Sequence, residues 1–179
     1  IFDIFGRESL RICENLKVYA IKIHPTDLNN FQLLEKVRDS KIKRVILGIS
    51  GSSLKTIYLA LKILSNKNII IMLGFQAYPT LNNEINNFKI NFLKKKLNKK
   101  NIEYGYADHS TGNLGDLPSL AAATLGARYI EKHITIRYFD NRPLEDYESA
   151  LQPNDFNKFI KNIKFGLDSL GSMENINNY

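Results

Sequence analysis

Short apolar runs alternate with amphipathic segments from one end of this chain to the other, and that beat restricts the fold more than any single residue. The runs Val18 to Ile23, Arg44 to Ile49, Asn68 to Leu73, Tyr104 to Ala107 and Tyr129 to His133 have the length of buried strands. Helical patterns lie between and after them, near Asn29 to Asp39, Ser53 to Leu64, Asn82 to Asn98, Asp116 to Leu125 and Pro153 to Leu170. Arg7 to Asn15 reads as one more helix, preceded by the end of a strand at Ile1 to Phe5. Strand alternating with helix specifies a parallel sheet with helices outside it, because a parallel pair needs a crossover to return the chain. The expectation is five full units and the stub of a sixth.

Two α/β architectures satisfy that pattern. A doubly wound open sheet binds ligands where strand order reverses, often at a glycine-rich turn. Gly48-Ile49-Ser50-Gly51-Ser52-Ser53 is glycine-rich, but it is neither a P-loop nor the dinucleotide fingerprint. A closed (β/α)8 TIM-type barrel instead gathers reactive groups at the carboxyl ends of successive strands. Here the strands end in Lys22, Ser50, Gln76, Asp108 with His109, and His133 with Thr135. That distribution favours the barrel. With 179 residues and 44% hydrophobic content there is room for one core, so residues 1–179 are expected to form one domain.

The segment from Tyr104 to Thr135 carries the chemistry. Asp116 is placed to cap its helix, Pro118 falls in the first turn and Gly126 ends it, so the segment is a strand-helix-strand unit. Consecutive strands of such a unit lie parallel, about 5 Å apart, with their carboxyl ends on the same side. His109 and His133 therefore converge, which makes a place for a metal. Along the second strand Glu131, His133 and Thr135 share one face, and Lys132 and Ile134 the other.

A net charge of +7 raises the question of nucleic acid. Much of that charge lies in Asn82 to Asn101, where Ile85, Phe88, Phe92 and Leu93 recur at helical spacing. The lysines there form the solvated face of an amphipathic helix, without interleaved aromatic residues, and no nucleic-acid partner is expected. The absence of a transmembrane-length apolar run or a signal-like start points to a soluble chain with no membrane partner. The lone Cys13 makes no disulfide framework, reads as a helix packing residue and suits a reducing cytoplasm.

The segments Tyr19-Ala20-Ile21-Lys22-Ile23, Ala77-Tyr78-Pro79-Thr80, Gly105-Tyr106-Ala107-Asp108-His109 and Gly126-Ala127-Arg128-Tyr129-Ile130-Glu131-Lys132-His133 occur in order and at suitable spacing. Together with Glu145-Asp146 and Leu151-Gln152-Pro153-Asn154-Asp155-Phe156, they resemble the N-acetylneuraminate (sialic acid) synthase family over nearly the whole chain. The resemblance implies a barrel that condenses phosphoenolpyruvate with an N-acylated amino sugar such as N-acetylmannosamine, releases phosphate and forms a nonulosonic acid. It implies a divalent cofactor, Mn2+ or Mg2+, held by His109 and His133. Catalytic roles fall on Lys22, Tyr78 and Asp146. Substrate contacts fall on Lys22, Asp27 and Tyr78, with Asp108, Glu131 and Thr135 sharing the same strand ends.

Two departures from the family accompany the match. Positions where the family carries phosphate-binding hydroxyls correspond here to Pro25, Gly48, Gln76 and Ala107, and Thr26, Ser50, Ser52 or the amides of the Gly48 to Ser53 loop are candidate replacements. The family's first two strands and its C-terminal antifreeze-like domain have no counterpart in these residues, so the chain corresponds to the last five to six of eight barrel units. An open piece of barrel exposes unpaired edges, so a homo-oligomer or a complementing chain is expected to cover them. Two function classes follow: a metal-assisted synthase, or a catalytically degenerate relative serving as a sugar-binding or assembly subunit.

Overall fold

The computed structural model describes residues 1–75, 77–97, 100–111, 116–136 and 147–171. Six strands alternate with helices: β1 (Phe2–Ile4), α1 (Arg7–Asn15), β2 (Ile21–Ile23), α2 (Phe31–Asp39), β3 (Arg44–Gly48), α3 (Leu54–Ile63), β4 (Asn68–Leu73), α4 (Asn82–Ile85), α5 (Lys89–Lys96), β5 (Ile102–Asp108), α6 (Leu117–Thr124), β6 (Tyr129–Lys132) and α7 (Pro153–Asp168). The strands form one sheet in the order β1-β2-β3-β4-β5-β6. Every pair is parallel. Sequential order without reversal is the topology of a barrel wall, and the sheet is a curled part of a (β/α)8 barrel rather than a doubly wound sheet.

Strand alternation divides the core into two layers. Ile4, Ile21, Ile23, Val45, Leu47, Ile69, Ile71, Tyr104 and Tyr106 point to the helices and pack on Leu34, Val37, Ile57, Leu61 and Ile90. The opposite face holds the smaller cluster of Ile46, Ile70, Met72 and Ala107. This inner face leads to the strands' carboxyl ends. Gly105 belongs to it because a Cβ there would sit 2.9 Å from Met72 and from the Tyr129 carbonyl.

Local sequence explains most boundaries. Asn30 caps α2 by accepting the Leu33 amide at 3.2 Å. Ser53 caps α3 through the Thr56 amide at 3.1 Å. Gly126, at φ 98°, ends α6 as expected. Asp116 stands before α6 without a side-chain capping bond. The single helix expected over Asn82 to Asn98 is two helices. Asn86 takes the left-handed conformation, φ 45°, and Asn87 donates to the Pro118 carbonyl at 2.8 Å. Asparagine tolerates that backbone, which the apolar periodicity does not register. The break changes the buried face: Ile90 and Leu93 pack inward, while Phe88 and Phe92 are exposed.

Candidate metal and anion site

The carboxyl ends of β1 through β6 enclose a cavity of about 430 Å3. Alternation decides which side chains enter it. On β5, Ala107 and then His109 face inward, so Asp108 between them faces the helices. On β6, Glu131 and His133 face inward around Lys132, whose ammonium reaches the helix-facing side at Asp108. Asp3 of β1 lies in register with Lys22 of β2, and both line the cavity.

His109, Glu131 and His133 offer ligand atoms that all lie within 4.8 Å of one another. The His109 and His133 rings are 5.3 Å apart between centroids, and Tyr78 lies 4.5 Å from the first and 5.8 Å from the second. His109 Nδ1 is 2.7 Å from the Phe75 carbonyl. A carbonyl only accepts, so Nδ1 carries a proton, and in the neutral ring Nε2 is the nitrogen that keeps its lone pair. Burial pulls the His109 imidazole below the ordinary histidine range, opposed by that backbone bond and reinforced by His133. A neutral, tautomer-fixed imidazole beside a second imidazole and a carboxylate fits a first-row divalent ion.

Lys22 provides the positive charge. Its ammonium is 2.7 Å from Glu131 and 3.6 Å from Asp3, with the lysine side chain 13% exposed. Burial raises the Asp3 carboxyl, against the pull of Lys22. The Lys22–Glu131 bridge connects the two parts of the cavity, since one carboxylate faces both the lysine and the imidazoles. The third histidine, His24, also lines the wall, with Nδ1 2.8 Å from the Thr26 hydroxyl.

The expected site residues divide clearly. Lys22, Tyr78, His109, Glu131 and His133 come together. Asp108 does not: it is 0% exposed and bonded to Ser110, Ser119 and Lys132 on the helix-facing side. Asp27 belongs to a short 3-10 turn and accepts from Asn30 at 3.3 Å, away from the cavity wall. Thr135 lies past β6, where its amide donates to the Leu151 carbonyl at 2.9 Å. Asp146 and Gln76 fall outside the described residues. Glu131 was expected among the substrate contacts and stands with the metal-ligand candidates, which its shared face with His133 already signalled. Asp3 and His24 were missed. The signal for Asp3 was its place on the inward face of the N-terminal stub.

Two of the positions lacking the family's hydroxyls, Pro25 and Gly48, pack on each other. A Cβ on Gly48 would lie 2.6 Å from Pro25 Cδ, so the proline ring occupies the space a serine there would need. Of the hydroxyls considered as replacements, Ser50 lines the cavity and donates to the Gly74 carbonyl. Ser52 faces a neighbouring, more apolar groove, and the Thr26 hydroxyl is engaged with His24.

Six parallel strands with helices outside and a polar cavity at their carboxyl ends define part of a barrel. The NeuB family model matches residues 3–175, and the chain belongs to that family. It is 35% identical over 168 residues to an uncharacterized protein of Methanocaldococcus jannaschii, covering 92% of this chain and 47% of that protein. It is 29% identical over 165 residues to the N,N'-diacetyllegionaminic acid synthase of Campylobacter jejuni, covering 89% and 47% respectively. The crystal structure of the Leptospira borgpetersenii N-acetylneuraminic acid synthetase in complex with citrate superposes with a TM-score of 0.81 at 29% identity, covering 96% of this chain and 57% of that one. The chain thus spans about half the length of the curated relatives it matches. Among the described residues, no helix is long and apolar enough to cross a membrane.

Proposed function

We propose that this chain forms the catalytic end of a cytoplasmic nonulosonic acid synthase, which condenses phosphoenolpyruvate with an N-acylated amino sugar of the N-acetylmannosamine type. The observation that carries this reading is the convergence of His109, Glu131 and His133 in one cavity with Lys22. The three would hold Mn2+ or Mg2+. A divalent ion there supplies Lewis acidity toward an oxygen of the sugar. Lys22 attracts the anionic substrate as a point charge, and Asp3 and Glu131 hold its ammonium at the mouth of the strands. Tyr78 presents an aromatic face beside both imidazoles, a surface for the sugar. The Phe75 carbonyl fixes the nitrogen that His109 offers. Phosphate recognition rests on Lys22 and backbone amides, in place of the family's serines, since the one proton of the Ser50 hydroxyl is engaged by the Gly74 carbonyl. Asp146 completes the sugar contacts in this reading.

The outer edges of β1 and β6 are covered by further strands, from a longer form of this protein, a second copy or a complementing chain. One observation favours the second reading, a noncatalytic sugar-binding or assembly subunit: Pro25 fills the space above Gly48 where a phosphate-binding hydroxyl would project. A phosphate-release assay separates the two. The chain is mixed with phosphoenolpyruvate, Mn2+ and a panel of N-acylated hexosamines, with and without the product of an adjacent gene encoding the complementary strands. Sugar-dependent release that Lys22→Ala removes supports the synthase. Sugar binding with no release under any combination supports the subunit.

A further inference from the structure

On the helix-facing side of the sheet, directly behind the three ligand candidates, lies a buried polar cluster that the proposed reaction does not use. Asp108 accepts from the Ser110 amide at 2.9 Å, the Ser110 hydroxyl at 2.6 Å and the Ser119 hydroxyl at 2.6 Å. Its fourth partner is the Lys132 ammonium at 3.1 Å, which also donates to the Ser110 carbonyl at 2.8 Å. The ion pair is almost fully enclosed, with side chains 1% exposed for Lys132 and 0% for Asp108. Ser110 and Ser119 are 0% exposed as well.

The placement follows from strand alternation. Asp108 and Ser110 flank His109 in sequence, while Glu131 and His133 flank Lys132. Residues that face the helices therefore interleave with residues that face the cavity, and Asp108 is the register partner of Lys132 across β5 and β6. Each bond in the buried cluster fixes the backbone on which a ligand candidate stands. Ser119 extends the connection to α6. The His109 carbonyl is held too, accepting the Thr80 amide at 2.8 Å.

We propose that the Asp108–Lys132 pair, with Ser110 and Ser119, is a positioning clamp that sets the spacing of His109 against Glu131 and His133 and thereby the affinity for a divalent cation. The proposal rests on the reading of those three residues as the metal site. A buried ion pair contributes little net stability compared with apolar side chains of similar volume, because desolvation offsets the attraction. Registry of two strand ends is what such a pair supplies here. It differs from the Phe75 carbonyl, which orients one ring, by fixing the distance between two strands.

The test is titration calorimetry of the full chain with Mn2+ alone, alongside thermal unfolding followed by circular dichroism. The double variant Asp108→Leu/Lys132→Met removes both charges together and so leaves no unpaired charge, while the Ser110 amide, hydroxyl and carbonyl and the Ser119 hydroxyl lose their partners. Its expected result is a folded protein with a lowered melting temperature, from the serine groups left unpaired, and Mn2+ affinity reduced about 10–100-fold. Ser119→Ala withdraws one hydrogen bond from Asp108 and is expected to weaken Mn2+ severalfold without unfolding; it decides the matter if the double variant does not fold. Parent-like Mn2+ affinity in the folded double variant, or in Ser119→Ala where that variant alone is available, overturns the clamp. His109→Ala, measured in parallel, separates the two ideas. If it binds Mn2+ as the parent does, the metal-site reading fails; if it loses Mn2+ while the clamp variants retain it, the clamp alone fails.

Discussion

The two sides of the cavity are built differently. On the β5–β6 side, three ligand atoms lie within 4.8 Å of one another and are backed by enclosed hydrogen bonds. On the β2–β3 side, a single ammonium stands beside a proline packed over a glycine. The first arrangement is set by charged and imidazole groups, with His109 held by the Phe75 carbonyl and Glu131 by Lys22. The second is set by steric fit, with Ser50 as the hydroxyl of its wall. Under the proposed function, the contrast teaches that cation chemistry and phosphate recognition would be separable in this cavity, joined through the Lys22–Glu131 bridge at 2.7 Å.

The strongest way to break this comparison is to remove the imidazoles. The double substitution His109→Ala/His133→Ala is expected to abolish Mn2+ binding in calorimetry while leaving the fold in place, since the rings sit at the end of the sheet and not in its core. Retained affinity would mean that the β5–β6 side is not the cation side. Next in size, Lys22→Met is expected to weaken phosphoenolpyruvate binding by about tenfold to a hundredfold, the range for losing a charge-assisted hydrogen bond. An unchanged affinity in equilibrium binding would move the anion to another wall. The smallest effect concerns packing. Gly48→Ser is expected to destabilise the chain by about 1–3 kcal/mol through overpacking against Pro25, measured by urea unfolding. Pro25→Ser/Gly48→Ser should recover most of that loss and show whether restored hydroxyls strengthen anion binding.

Much of the architecture was legible in the sequence because parallel βα units write themselves as alternating patterns. The limits of β4 and α1 coincide with the apolar pattern. β2 is shorter than the pattern, as the chain reaches the sheet only at Ile21 after a left-handed turn at Lys17. The helix break at Asn86 was not legible, since asparagine is common in this chain and the Pro118 contact beside the break is a long-range one made by the next residue, Asn87. In the site, His109, His133 and Lys22 were legible as polar residues at strand ends. Asp108 was expected among the substrate contacts even though the alternation used for Glu131, Lys132 and His133 also separates it from His109. Adjacency in sequence suggested a shared pocket where pleating sends neighbours to opposite sides. For Asp3 the strand stub carried only a weak signal, which its register with Lys22 makes specific.

The ring of Tyr78 has a consequence for how the cavity can be watched. The chain has nine tyrosines and no tryptophan, so tyrosine emission is not drained by energy transfer to an indole. One of those phenols lies within 6 Å, centroid to centroid, of both imidazoles of the cation side. A paramagnetic ion arriving there quenches that ring more than phenols farther from the cavity. If the proposed metal site holds, the cavity carries its own optical gauge of occupancy, readable without a label.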